Sequence, residues 1–578
     1  MAPGSFSGPR SFLGFHAFLY DSAAALIVDG GVVSAVAEER LDRRKHSGAF
    51  PENAVRSCLD QAGMGVGDLH GIAFGFRPWR HMTRRLRSVG AGLPASLAFG
   101  TSRGGAWARM MTARAAFISR LGGARVPFTH HLHHRCHAAT AFYLSPFETA
   151  AALVMDGSGE AASTTILHAG PAGIREVRTI WFPHSLGYLY MGLTDYLGFA
   201  AGCDEGKVMG LASYGDASAL PGLAELVRLD DRGYRLDLRW FDFHRNGASV
   251  SGGRPFFSEA FLRRFGPPRR PGEPLSDRHA DMAAGVQAVL ERAVLHLADL
   301  ACDLTGESRL VLGGGVALNS VANGRLLEER PGIELFIPPP CGDDGTAMGA
   351  ALLSHHDVPG RRRAAPLPSP FLGPGPDERA MEEAAVKSGL DFERPKDPVP
   401  AAARLLVAGE VVGWYQGRSE IGPRALGNRS ILADARDAGM KDRLNEKVKH
   451  REPFRPFAPV VPAELYSDWF EGRPDRPYML EVARVREDRR EDIPAVTHVD
   501  GTARVQTVSR DTSPLLWRLL HEVGRLTGVP ILVNTSYNVM GQPLVQTPEE
   551  AISCFAGTGI DSLFLGDLLF RKAGKETP

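Results

Sequence analysis

The stretch 130-HHLHHRCHAAT-140 gathers His130, His131, His133, His134 and His137 into one short segment. On a helix, His133 and His137 fall at i and i+4, one turn apart on one face, the spacing at which two imidazoles share a metal ion. A surface histidine patch, or core histidines bonded to backbone, is the plainer alternative. Two neutral nitrogens need an anionic oxygen to complete a divalent site. The Gly-rich run 340-PCGDDGT-346 offers Asp343 and Asp344.

Two glycine loops would let backbone N–H groups approach phosphate oxygens with no Cβ in the way: Asp156-Gly157-Ser158-Gly159 and Gly313-Gly314-Gly315. Neither is a Walker loop, and G-G-G-V-A-L-N, ending at Asn319, does not match G-x-G-x-x-G. Taken singly, each is a weak signal, better explained by a structural turn.

Basic clusters occur further on. Arg418, Arg424 and Arg429 alternate with Gly, Pro and Leu in 417-GRSEIGPRALGNRS-430. Lys447, Lys449, Arg451 and Arg455 thread through Pro and Phe in 447-KVKHREPFRPFAPVV-461. A solvated charge run has no need of Phe454, Phe457 and prolines between its cations. The pattern points to a phosphate pocket, where Arg forks match the oxygens and Lys acts as a point charge. The strand-like 530-PILVNTSYN-538 ends in Asn534, Thr535 and Ser536, short polar groups suited to a carbonyl, amide or phosphate.

The elements around these residues read as α/β. Phe12–Phe15, Ala23–Val28, Asp29-Gly30-Gly31 and Val32–Ala37 give strands joined by a tight turn, and 150-AAALVMDGSGEAASTTILHAG-170 repeats that design. Two such hairpins, each opening a long stretch, suggest a duplicated core. Residues 281–306 show helical periodicity ending at Gly306 and lead into the strand 309-RLVLGGGVALN-319; helix resumes after Asp343. A Pro-, Gly- and Arg-dense run after Ser354 reads as a linker, and an α/β domain follows. Between Arg77 and Arg125 there is no Asp or Glu but many Arg, with Trp79, Trp107, Met110 and Met111. A helical insertion with a solvated Arg face, or a basic lid over an acceptor, fits that composition.

The chain's 578 residues exceed what one core supports, so several domains are expected. Lys+Arg and Asp+Glu balance at 66 each, which gives no global field toward nucleic acid or anionic lipid. The six cysteines are scattered without C-x-x-C, which argues against a disulfide framework or structural zinc and for a reducing compartment. The opening MAPGSFSGPRS lacks a charged head and apolar stretch, and no apolar run approaches a bilayer's width, so a cytoplasmic setting is expected.

Taken together, 21-DSAAALIVDG-30, 37-AEERLDRRKHSGAFP-51, H-H-R-C-H at 133–137, 186-LGYLYMGLTDYLGF-199, 206-GKVMGLASYG-215, 313-GGGVALN-319, 422-GPRALGNRSIL-432, 453-PFRPFAP-459 and 534-NTSYN-538 carry a resemblance. Over essentially its whole length the chain resembles the O-carbamoyltransferases of nodulation and antibiotic tailoring. The resemblance implies a flexible start (1–11), then a carbamoyl-transfer domain (12–355) similar to the actin/Hsp70-like duplicated ATPase-type fold of tRNA threonylcarbamoyl transferases. A linker (356–400) and a YrdC-like domain forming carbamoyl-adenylate (401–578) would follow.

It further implies His133, His137 and Asp343 as ligands of iron(II) or another divalent metal, with Asp344 in place of Asp343 if the loop register shifts by one. Asp156, Gly157, Ser158, Gly159, Lys207, Gly313, Gly314, Gly315 and Asn319 would hold nucleotide. Arg418, Arg424, Lys449, Arg455, Arg504, Asn534 and Ser536 would hold carbamoyl phosphate and ATP, with Mg²⁺. Where the family commonly has His before Asp-Ser, this chain has Tyr20 before Asp21, so Tyr20, Asp21 or His16 is the candidate base. The expected partners are carbamoyl phosphate and a hydroxyl of a small natural product, with no nucleic acid or membrane. A tRNA threonylcarbamoyl-type transferase, an actin-like metabolite kinase and a nucleotide-dependent switch are the rival readings. Mechanistically, Arg424, Lys449, Arg455 and Arg504 would cancel the repulsion between two polyanions, and the adenylate would pass between domains without meeting solvent.

Overall fold

In the computed structural model, residues 10–84, 105–246, 255–358, 363, 366–367 and 369–572 are described. The first half is built on two sheets of the same design. In the first, the apolar strands β1 (Ser11–His16), β2 (Ala23–Val28) and β3 (Gly31–Ala37) form an antiparallel meander, and β4 (Gly71–Phe74) and β5 (Phe128–His130) add in parallel beyond β1. The chain then forms helix α1 (His133–Leu144) and repeats the pattern. Strands β6 (Ala150–Met155), β7 (Ala162–Gly170) and β8 (Gly173–Trp181) make the second meander, with β9 (Arg309–Gly313) and β10 (Glu334–Phe336) parallel beyond β6. The strand orders, β3-β2-β1-β4-β5 and β8-β7-β6-β9-β10, correspond position for position. The core is therefore duplicated, as the two hairpins suggest.

Between β8 and β9 run helix α2 (Glu205–Ala212) and the long α3 (Asp277–Thr305), whose apolar face lies on the second sheet and whose end is closed by left-handed Gly306. Helix α4 (Gly345–His356) follows β10 and crosses α1 at close range. A Cβ on Gly349 would collide with the carbonyl of Cys136, so only glycine lets the two helices approach this closely. Thr140 Oγ1 also donates to the Gly345 carbonyl at 2.7 Å. This crossing brings the residues just ahead of α4 beside the first turns of α1.

The second half folds around one mixed eight-stranded sheet, and it begins earlier than the sequence suggests. Within the expected 356–400 linker, helix α5 (Glu378–Ser388) is capped by Asp377, whose carboxylate accepts the Ala380 N–H at 2.8 Å. Strand β11 (Phe392–Glu393) pairs with the last strand of the sheet, and α6 (Pro398–Val407) follows. Ala384 and Ala385 sit in the second core, so a hydrophobic face outweighs the linker-like composition. Likewise Ser11, placed in the flexible start, is already the first residue of β1, while residues 1–9 lie outside the described residues.

The sheet continues with β12 (Val412–Tyr415), β13 (Arg429–Asp434), β14 (Ala458–Pro462), β15 (Gln506–Val508), β16 (Leu532–Ser536), β17 (Ser562–Leu565) and β18 (Leu568–Arg571), in the order β11-β18-β17-β12-β13-β16-β14-β15. Part of the Arg77–Arg125 segment, 85–104, is outside the described residues. The rest contains helix over Ala113–Leu121, with Met110, Ala113 and Phe117 buried against the first sheet, as a helical insertion requires. Among the described residues, no helix is long and apolar enough to cross a membrane.

Candidate functional site

Helix α1 begins at His133 without a side-chain cap of its own. The buried carboxylate of Glu160 takes that role, accepting the His133 N–H at 3.1 Å and the Arg77 N–H at 2.9 Å. With the helix start fixed, His133 and His137 project together and their Nε2 atoms lie 3.1 Å apart. Asp343, just ahead of α4, brings Oδ1 to 3.3 Å from His133 Nε2 and 3.5 Å from His137 Nε2. The helix crossing thus assembles the expected triad. Its fourth member is Asp156, at the end of β6, whose Oδ2 lies 3.3 Å from His133 Nε2. Asp156 was expected in a nucleotide loop; the structure places it among the histidines.

Ligand atoms from these four residues lie within 4.8 Å of one another. Metal–ligand bonds of about 2.1 Å imply edges of about 3 to 3.4 Å between ligands, close to the 3.1, 3.3, 3.3 and 3.5 Å found among these atoms. His133 Nδ1 faces the Gly75 carbonyl at 3.3 Å, which turns the Nε2 lone pair inward, the arrangement metal-bound histidines use. Burial alone would lower the His133 pKa, but Asp343 and Asp156 lift it well above its usual value. Burial would likewise raise the Asp343 carboxyl, which the histidines hold well below its usual range. The donor set fits a divalent cation.

Asp344 is not one of the four; burial, with Asp21 and Glu39 nearby, pushes its carboxyl up to about 8. A second cluster is Asp21, Glu39 and His46. His46 Nδ1 meets Asp21 Oδ1 at 2.8 Å, and its backbone N–H donates to Glu39 at 2.8 Å. Burial opposes the charge on His46, but Asp21 and then the Cys203 thiol raise its pKa to about 10. His46 escaped the sequence reading as a site residue, although it lies within 37-AEERLDRRKHSGAFP-51. Tyr20 is partly buried at the bend preceding Asp21. His16 is fully enclosed, which removes it as a base for an incoming acceptor.

Several glycines have packing reasons of their own. A Cβ on Gly159 would press on His134 and His133, and one on Gly313 on His137, so both make room for imidazoles. Gly314, at φ +88°, passes directly against the Met155 backbone. Ser185 Oγ donates to the Gly157 carbonyl at 2.7 Å and fixes the turn that holds Ser158. The Asn319 side chain caps the next helix by accepting the Ala322 N–H at 3.0 Å, and its Nδ2 donates to Gln287 Oε1 at 2.9 Å. Lys207 pairs with Asp204 at 3.1 Å and with Glu452 of the second half at 2.9 Å.

In the second half, Arg424, Lys449, Arg451, Arg455 and Arg504 converge. Burial holds Arg504 well below its usual pKa, and Arg424, Arg451 and Arg455 depress it further. Arg424 falls to about 10 and Arg451 to about 9, each through burial first and then Arg455, with Cys341 partly offsetting the effect at Arg424. Glu452 and Asp204 are the acids that face Arg455. The Nε atoms of Arg424 and Arg504 and Oδ1 of Asn534 are enclosed with no hydrogen-bond partner among the described residues. Lys449 Nζ donates to the Ser536 and Asn538 side chains at 3.3 and 3.1 Å. Buried cations that repel one another call for an anion.

Arg418 is a correction. Its guanidinium is consumed by the carbonyls of Gly373, Leu372 and Val33 and by Gln61, so it ties the halves together outside the cation cluster. Arg451, which was read only as part of a basic run, takes a place in the cluster instead. The cluster also abuts the loop that carries Asp343: Arg424 and Cys341 share a field, and Gly422 packs on the Pro339 carbonyl.

Comparison with known proteins follows the same division. The family described as "Carbamoyltransferase N-terminus" matches residues 11–86 and 111–352, and "Carbamoyltransferase C-terminus" matches 403–572. Nodulation protein NolNO of Sinorhizobium fredii is 37% identical over 96% of this chain and 80% of its own. Nodulation protein NolO of Bradyrhizobium diazoefficiens is 42% identical over 76% of this chain and 78% of its own. The 3'-hydroxymethylcephem-O-carbamoyltransferase of Streptomyces clavuligerus is 29% identical over 78% and 82%. Two family matches spanning both halves, in the order the folds occur, lead to one conclusion: the chain is an enzyme of the carbamoyltransferase family.

Proposed function

We propose that this enzyme is an ATP-dependent O-carbamoyltransferase that makes carbamoyl-adenylate in its second half and delivers the carbamoyl group in its first. The observation that carries this reading is the buried cation cluster, with unpaired Arg424 and Arg504 Nε atoms, set against the loop that bears Asp343. Arg424, Lys449, Arg451, Arg455 and Arg504 would offset the charge of carbamoyl phosphate and Mg²⁺-ATP bound together. Water hydrolyses carbamoyl phosphate to carbamate and phosphate, a carbamate oxygen then attacks the α-phosphorus of ATP, and the bond to the β-phosphate breaks to release pyrophosphate. Asn534 and Ser536, at the end of β16, are suited to hold the carbamoyl amide.

The acceptor hydroxyl then attacks the carbamoyl carbon and AMP leaves. Asp21, partly exposed and oriented by His46, takes the hydroxyl proton in this reading. The backbone around Gly157–Gly159 and Gly313–Gly315 would receive the AMP part. His133, His137, Asp343 and Asp156 would hold a divalent ion, iron(II) in our reading, which supplies Lewis-acid polarisation when bound. The duplicated sheets support an actin/Hsp70-like reading of the first half; a YrdC-like reading of the second is proposed from its residues. A hydroxylated natural product is the acceptor class, in line with the cephem-modifying relative, and the use of ATP suits a cytoplasmic setting.

The test is to combine enzyme, ATP, carbamoyl phosphate and a panel of hydroxylated natural products. The reading expects AMP and pyrophosphate, and a product heavier by one carbamoyl group. Release of ADP with a phosphorylated product would favour a kinase instead.

A further inference from the structure

His16 ends β1 with its side chain fully enclosed, and neither ring nitrogen has a hydrogen-bond partner among the described residues. A buried unpaired imidazole carries a desolvation cost with no return, so its retention calls for a role. Its surroundings supply one. The ring lies 5.5 Å from that of His133, and Nε2 lies 3.7 Å from Asp343 Oδ2. The two oxygens of Asp343 are thereby divided: Oδ1 faces His133 and His137, and Oδ2 faces His16.

We propose that His16 is a positioning residue for the cation site, donating its Nε2–H to Asp343 Oδ2 so that Asp343 offers Oδ1 alone to the metal. The inference rests on the metal reading of the His133, His137, Asp156 and Asp343 cluster and goes beyond it by assigning the group that orients one ligand. The present 3.7 Å is longer than a hydrogen bond, and the proposal requires it to shorten once a cation is bound. Without His16, the carboxylate is free to swing to two-oxygen binding, which changes both affinity and coordination number. Partners of this kind are typically worth about tenfold to a hundredfold in metal affinity.

The test uses the full-length chain and cobalt(II) as a spectroscopic probe, following affinity by titration and coordination by the visible absorption spectrum. His16→Phe keeps a ring of similar size without a donor, His16→Met fills the space flexibly, and His16→Gln restores an N–H near the Nε2 position. The expected result is about tenfold to a hundredfold weaker binding and an altered spectrum for the Phe and Met variants, with Gln recovering most of both. Wild-type affinity and spectrum in either the Phe or the Met variant overturns the proposal. Should the Phe variant fail to fold, the Met and Gln pair carries the same comparison. His133→Ala is the control that separates the two ideas. If wild type and His133→Ala are equally unable to bind cobalt, the metal reading itself fails and His16's role fails with it.

Discussion

Lys207 Nζ lies 2.9 Å from Glu452 Oε1, joining α2 of the first half to the basic cluster of the second. Glu452 also stands 3.9 Å from Arg455, so the lysine expected at a nucleotide instead shares the acid that faces the cation cluster. The pair is a seam contact between the two sites.

A double-mutant cycle measures that seam. Lys207→Met and Glu452→Gln should each lower stability, and the double variant should lose less than their sum, with a coupling of about 0.5–1 kcal/mol for a partly exposed pair. Chemical denaturation of the four proteins reads it. Strict additivity would mean that the contact carries no energy.

In the proposed mechanism Arg504 trades stability for binding. It is buried among Arg424, Arg451 and Arg455, and its charge is disfavoured in the absence of an anion. Arg504→Met should therefore raise the unfolding temperature of the ligand-free enzyme, by the equivalent of about 1 kcal/mol or more. The same change should cut adenylate formation by about 10²–10³-fold and remove the stabilisation that carbamoyl phosphate gives wild type. Thermal unfolding with and without carbamoyl phosphate checks both signs.

The Asp21–His46 pair sets an alkaline limit. His46 is raised from 6.5 to about 10, so its contribution is complete below about pH 6.5 and is lost as pH rises through about 10. The stability difference between wild type and His46→Gln should be flat in mild acid and shrink across that window, by roughly 2 kcal/mol after allowance for solvent screening. A difference that grows with pH would contradict the assignment of His46 as the cation of the pair. Denaturation midpoints between pH 6 and pH 10 supply the measurement.

The histidine pair was legible because i, i+4 spacing is a local property of a helix. Asp343 over Asp344 was not, since the choice depends on how α4 crosses α1 at Gly349, which is a tertiary fact. Asp156 looked like part of a phosphate loop because an Asp-Gly-Ser-Gly turn has that composition wherever it lies. The packing of α1 on β6 and β9 brings it to the histidines. Gly159 and Gly313 were noticed for their missing Cβ, and the structure uses that space for imidazole rings.

Arg418 and Arg424 are six residues apart with similar neighbours, yet one is spent on carbonyls and the other joins the cation cluster. Nothing local separates them. The helix at Glu378 did carry a readable start, an Asp before a run of good helix formers, which the surrounding prolines obscured.

The proposed mechanism divides the labour: activation in the second half, and transfer at the His133 cluster in the first. The most direct measurement is pyrophosphate release and acceptor carbamoylation in His133→Ala and Arg424→Ala, side by side with wild type, given ATP and carbamoyl phosphate. With the labour so divided, His133→Ala still releases pyrophosphate but loses transfer by at least about 10²-fold, while Arg424→Ala loses both. Pyrophosphate formation that disappears with His133 and survives the loss of Arg424 would contradict it.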